Sequence, residues 1–137
     1  KLHTVKTSAY LEWRYGRNRW YQYRAGFDSR GDSAALVICR GVRRGALNEL
    51  LVTDLVTLPD RRSLRLASRL IDSLARGSSA DYVAVSGLDP PLAWSSGFIP
   101  VGQRGPAFTV RLLQPGLEID PTKLATWGAT LGDLELF

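Results

Sequence analysis

From Trp20 to Phe27 the chain reads WYQYRAGF, with Tyr21, Tyr23, Ala25 and Phe27 on one side and Gln22 and Arg24 on the other. That period of two predicts a strand. The turn-forming run Asp28–Ser33 follows, and then Ala34–Val42, AALVICRGV, is nearly all apolar. A central strand joined to the first as an antiparallel hairpin fits this pattern. After the basic turn at Arg43 and Arg44, Ala46–Leu58 predicts a third, long strand with apolar residues on both faces. Two carboxylates interrupt it: Glu49 near its start, and Asp54, which alternation places on one face with Val52 and Val56.

The period then changes to that of a helix. In TLPDRRSLRLASRLIDSLAR, residues Leu64, Ala67, Leu70 or Ile71, and Leu74 form an apolar stripe, and Arg61, Arg65, Arg69 and Asp72 lie opposite it. Asp60 is the expected N-cap and Gly77 the stop. An earlier helix is predicted over TSAYLEWRYG, closed by Gly16. Beyond Gly77, YVAVSG reads as a short buried strand, in which Tyr82 is a core residue. DPPLAWSSG reads as a short helix with prolines in its first turn, and FIPV and AFTVRLL as the last strands. Asp120–Pro121 opens a further helix through TKLATW, and the tail is GATLGDLELF.

The order is α–β–β–β–α–β–α–β–β, and its strand–helix–strand unit implies a parallel pair. The expected fold class is therefore α/β (α+β): a mixed, mostly antiparallel sheet with one parallel splayed pair and helices on both faces. Three consecutive strands before the first crossover exclude a doubly wound dinucleotide fold. With no repeat, low-complexity run or linker, the 137 residues read as one domain, its core at about 20–113. The chain has no methionine, and we expect it to be part of a longer protein.

Chemistry narrows the function more by exclusion than by signature. Cys39 is the only cysteine and lies in an apolar strand, where an inert core thiol is expected. His3 is the only histidine and sits near one end of the chain, so hydrolase triads and zinc sites have almost nothing to build on. No metal is expected. The net charge of +5 comes from arginine, since only Lys1, Lys6 and Lys123 of the 18 basic residues are lysines. The arginines are scattered and accompany no nucleic-acid motif, which argues against nucleic acid as a partner. The absence of a spanning segment or a secretory pattern argues for a cytoplasmic protein with no membrane partner. Arg30–Gly31–Asp32 matches an adhesion tripeptide but sits where a hairpin turn is expected. Among Trp13, Trp20, Trp94 and Trp127, two or three are expected in packing, and an exposed one would mark a docking surface.

The strand ELLVTDLVTLP, the helix from DRRSLRLASRLIDSLA, the strand YVAVSG and the segment LAWSSGFIPV, in that order, resemble the GNAT acyl-CoA N-acyltransferase superfamily over about Trp20–Leu113. The resemblance implies two parallel strands that splay apart, an acyl-CoA arm between them, and its pyrophosphate on the next helix N-terminus. Leu55, Val56, Arg61, Arg62, Ser63 and Arg65 would then face the cofactor, acetyl-CoA being the expected donor. Glu49 and Asp54 lie on the strand where the family commonly carries its general base, which takes a proton from an amine acceptor. A buried Asp54 must be paired or have a raised pKa, unless a bulge turns it away or an arginine neutralises it.

The family's phosphate loop reads Arg or Gln, two residues, Gly, one residue, then Gly or Ala. Here the nearest match, Arg61–Leu66, places leucines at both small positions, Leu64 and Leu66. The tyrosine acid of the family is also absent, since the helix before Gly97–Phe98 offers Trp94, Ser95 and Ser96. Arg61, Arg62 and Arg65 either grip a phosphate through their side chains or project into water around a helix capped by Asp60. Three functions follow as expectations. One is an N-acyltransferase acting on an amine. A second is a non-catalytic half that packs on another GNAT-like domain or a second copy, for which a filled cleft and an apolar surface patch are expected. A third is an aminoacyl or peptidyl transferase whose donor is not CoA.

Overall fold

The computed structural model describes residues 3–18, 20–86, 93, 96–99, 101, 118–120, 123, 126–128 and 130–134. Helix α1, Ser8–Leu11, starts at Thr7, whose hydroxyl accepts the Tyr10 N–H, and runs on into a π-helical turn, Glu12–Gly16. Four strands follow: β1 Tyr23–Arg30, β2 Ser33–Arg44, β3 Leu47–Thr57 and, after helix α2 Arg61–Arg76, β4 Tyr82–Val85. A short helix α3, Leu131–Leu134, lies in the tail.

The sheet order is β1-β2-β3-β4, antiparallel except for the final parallel pair. This is the mixed α+β architecture that the hydrophobic pattern implies. The hairpin turn is tighter than the run Asp28–Ser33 suggests: β1 continues to Arg30, and Gly31 and Asp32 alone turn the chain. Gly31 has φ +59°, a left-handed conformation that glycine adopts without a Cβ clash. The adhesion-like tripeptide is thus the end of a strand and its turn.

Helix α2 packs on one face of the sheet. Leu66, Ala67 and Ile71 meet Ala35, Val37, Cys39, Leu50 and Val52 in the core. Cys39 is fully buried, and burial raises its thiol pKa, as suits a packing residue. Gly26 of β1 lies under Leu70 and Leu74, so the strand approaches the helix where a larger residue would crowd it. On β4, Val83 to Val85 are only half-buried and Tyr82 is 39 % exposed, against the expectation of a buried strand and a core tyrosine.

The β3–β4 pairing stops at Val52↔Val85, while β3 runs on to Thr57. Just past that point the β2–β3 register slips by one residue: Cys39 opposes Val52 and Ile38 opposes Asp54, leaving Thr53 as the extra residue of a bulge. Its hydroxyl donates to the Ile38 carbonyl at 3.1 Å. The bulge corrects the alternation read from sequence. Val52 and Leu55 pack toward α2, whereas Asp54 falls on the opposite face with Val56. The expected helix at Asp89–Gly97 lies outside the described residues apart from Ala93, Ser96 and Gly97, and the strand Ala107–Leu113 lies outside them entirely. Phe98, Ile99 and Val101 are described and form no strand.

Candidate functional site

Two places carry most of the residues that the sequence singles out: the start of α2, and the end of β3 beyond its last pairing with β4; Glu49 lies apart, near the start of β3.

At the helix start, Asp60 is extended and its carboxylate bends back over the first turn. Oδ1 accepts the N–H groups of Arg62 and Ser63 at 2.8 and 2.9 Å, and Oδ2 accepts the Ser63 hydroxyl at 2.5 Å. The Ser33 hydroxyl adds a bond to Oδ1 at 3.3 Å. Hydrogen bonds from the Ser63 side chain, and then from its backbone, hold the Asp60 pKa below the ordinary carboxylate value. Ser63 is fully buried, and its oxygen also accepts the Ala34 N–H at 3.1 Å, which ties the helix start to β2. Arg61, Arg62 and Arg65 are exposed, and Leu55 and Val56 are half-buried on β3. Leu66, which the resemblance would align with a small residue, is 4 % exposed in the core.

An acyl-CoA pyrophosphate would need backbone N–H groups of this first turn, with small residues to let it approach. The Arg62 and Ser63 N–H groups are already bonded to Asp60, a negative charge supplied by the chain itself. The residues present do not fit that group.

At the end of β3, Asp54 is 1 % exposed and fully engaged. The Tyr15 hydroxyl donates to Oδ2. Lys6 Nζ lies 2.9 Å from Oδ1, and the Thr130 hydroxyl donates to the same oxygen at 2.5 Å. Lys6 also reaches Asp133 Oδ1 at 2.7 Å, and Asp133 Oδ2 accepts the Thr130 N–H at 2.8 Å. The single Thr130 proton goes to Asp54. Its 3.0 Å approach to Asp133 Oδ2 therefore adds no second bond. Arg14, 7 % exposed, donates to the Gly132 carbonyl and supplies a second positive charge to a cluster holding two carboxylates. Gly132 is buried against the Tyr15 hydroxyl, Asp54 and the Thr53 carbonyl.

Burial opposes ionisation of Asp133, but hydrogen bonds from Lys6, from the Thr130 N–H and from Thr4 outweigh it and bring the carboxyl down to about 2. Burial likewise pulls Lys6 down, and its bonds to Asp133 and Asp54 outweigh that and raise it. Tyr15 is pushed well up, by burial first and then by the Asp54 carboxylate. The signs give a pH window. Asp133, depressed on folding, contributes stability above its unfolded value of 3.8, lost as pH falls through about 2. Lys6, raised on folding, contributes below its unfolded value of 10.5, lost at higher pH. Urea midpoints should therefore be flat from about pH 3.8 to about 9, where the raised Cys39 thiol, then Tyr15 and then Lys6 begin to weigh against the fold, and should fall outside that window. Asp133→Asn should shrink the acid-side fall relative to the unsubstituted chain; an unchanged acid limb would remove Asp133 from the account.

Glu49, the other candidate base, is 7 % exposed and paired with Arg44 Nε at 3.1 Å. Tyr82 lies cross-strand from it, and the Glu49 carboxylate, after burial, raises the Tyr82 pKa. An arginine thus neutralises Glu49, while a lysine neutralises Asp54. The two carboxylates are brought to no common site. Lys6, Arg14, Tyr15, Thr130 and Asp133 are site residues that the sequence reading missed. Local sequence gave little hint of them: Asp133 lies between Gly132 and Leu134, and a second acid, Glu135, stands two residues on.

Among the described residues no group of three or more His, Cys, Asp or Glu side chains could hold a metal ion. Among them, too, no helix is long and apolar enough to cross a membrane. No family model matches the sequence, and no curated protein matches it. Among solved structures, the crystal structure of a single-substitution mutant of TTHA1254 from Thermus thermophilus is similar, with 23 % identity and a TM-score of 0.46 over 64 % of this chain and 69 % of that one.

Proposed function

We propose that this chain is an acyltransferase-related domain of the GNAT type that does not bind acyl-CoA itself and packs on a catalytic partner domain of the same class. The observation that carries the reading is the Asp60 cap, which takes up helix N–H groups that a pyrophosphate would need. The closed state of Asp54 supports it. A general base must present a free lone pair to the amine it deprotonates. Asp54 instead accepts from Tyr15, Thr130 and Lys6, and its side chain has no exposure.

A surface for the partner is consistent with the exposed aromatic residues. Phe27, Leu36 and Val56 are cross-strand neighbours on the sheet face away from α2, and Phe27 is 67 % exposed. Trp20 is exposed too, at 86 %. Apolar rows of this kind mark interaction surfaces more often than scattered single residues do.

A second reading, direct N-acyl transfer to an amine with acetyl-CoA as donor, draws on one observation: β4 leaves β3 at Val52, so the strand beyond is unpaired on that side by β4. Isothermal titration with acetyl-CoA and with free CoA separates the two. The first reading expects no heat at millimolar ligand. Micromolar binding that weakens in Arg61→Ala and Arg65→Ala would establish the second.

A further inference from the structure

Helix α3 has four residues, far too few to be stable alone. Its order comes from anchors made by side chains distant in sequence. Lys6 holds Asp133, Asp54 accepts the Thr130 hydroxyl, and Arg14 donates to the Gly132 carbonyl. All three anchors are polar, and lifting the segment would return their partners to water. The α2–sheet contact, by contrast, is made of fully buried apolar side chains. The two parts of the molecule are therefore held by different forces, and segments anchored by few polar contacts open before the core does.

The seat of the segment is tight at one point. A Cβ on Gly132 would press on the Tyr15 hydroxyl, lie 2.8 Å from Asp54 Oδ2 and 3.0 Å from the Thr53 carbonyl. Asp54 and Tyr15 are fixed by each other, and Thr53 is backbone in a bulge, so none of the three yields easily. Thr53 and Asp54 are the first residues of β3 past its last pair with β4. The tail segment thus closes over the stretch of β3 that β4 has left.

We infer that Thr130–Leu134 is a strap that opens and shuts over Asp54 as a unit, independently of the core, with Lys6 as its clasp and Gly132 as the residue that lets it seat. Shut, it buries Asp54 and covers the end of β3; open, it returns both to water. The inference rests on the non-catalytic reading only for its meaning, since an open strap leaves Asp60 still capping α2.

Amide hydrogen exchange followed by NMR tests it on the whole chain. In the unsubstituted protein the amides of the strap should exchange on the order of 100-fold faster than those of Leu66–Leu74 in α2. Gly132→Ala should speed the strap by a further tenfold or so and leave α2 unchanged. Asp133→Asn, which loosens the clasp without adding bulk, should do the same, and it serves if Gly132→Ala folds poorly. Equal acceleration of α2 would make the segment part of the core and overturn the strap. Exchange unchanged in both variants would overturn it as well. Titrating Gly132→Ala with CoA keeps the two claims apart: binding there would end the non-catalytic reading while leaving the strap intact.

Discussion

Leu66→Ala is expected to cost about 3 kcal/mol of folding stability, read from urea denaturation. Leu66 falls at a small position of the GNAT phosphate loop that the sequence resembles, and on the proposed reading truncating it could be thought to reopen a donor site. Its surroundings argue otherwise. It is 4 % exposed and packs in the cluster with Val37, Cys39, Leu50 and Val52. Removing its side chain leaves a cavity between helix and sheet, and buried leucine truncations of this sort cost about 2–5 kcal/mol. The variant should lose stability and gain no affinity for CoA. A loss near zero, with new CoA binding, would mean that Leu66 is an obstruction and not an anchor.

Asp60→Ala should lower the melting temperature by several degrees, the second of the large effects. The substitution removes the acceptor of two backbone N–H groups and two serine hydroxyls at once. It also leaves three arginines near a helix N-terminus with no negative charge to balance the dipole. Sulfate should then recover more of the loss in the variant than it adds to the unsubstituted chain. The unsubstituted chain is the necessary comparison, because sulfate stabilises folded proteins generally by exclusion from their surface. Equal gains in both would show that the first turn has no use for an anion once Asp60 is gone.

The fold was largely legible in the sequence because its elements are specified locally. The alternation over Tyr21–Phe27, the apolar run around Cys39 and the stripe on α2 each name their own element, and Asp60 and Gly77 mark the ends of the helix. The strand–helix–strand order then fixes the parallel pair. Periodicity cannot see a bulge, and the extra residue Thr53 was enough to move Asp54 to the other face from Val52. That slip matters because it decides which elements Asp54 meets.

The cluster around Asp54 was not legible for a different reason. Lys6 and Asp133 are 127 residues apart, and Tyr15 and Asp54 are 39 apart. No local spacing encodes such pairings, since they arise only when the segments Lys6–Tyr15 and Thr130–Asp133 fold onto one face of the sheet. The sequence did show that a buried Asp54 needs a partner, and it named arginine. The structure supplies Lys6, with two hydroxyls completing the carboxylate. At the helix start the position is reversed: the capping role of Asp60 was readable from local chemistry, while both readings of the arginines stood open until the structure placed them exposed around that cap.

The central claim is that the chain's own Asp60 carboxylate stands in for a cofactor phosphate at the start of α2. Titrating the unsubstituted chain with CoA to millimolar concentration while following the backbone amide resonances tests this most directly. The account predicts no shift at Arg62, Ser63 or Leu64. Saturable shifts at those three amides would contradict it, because they would place an anion where the Asp60 carboxylate lies.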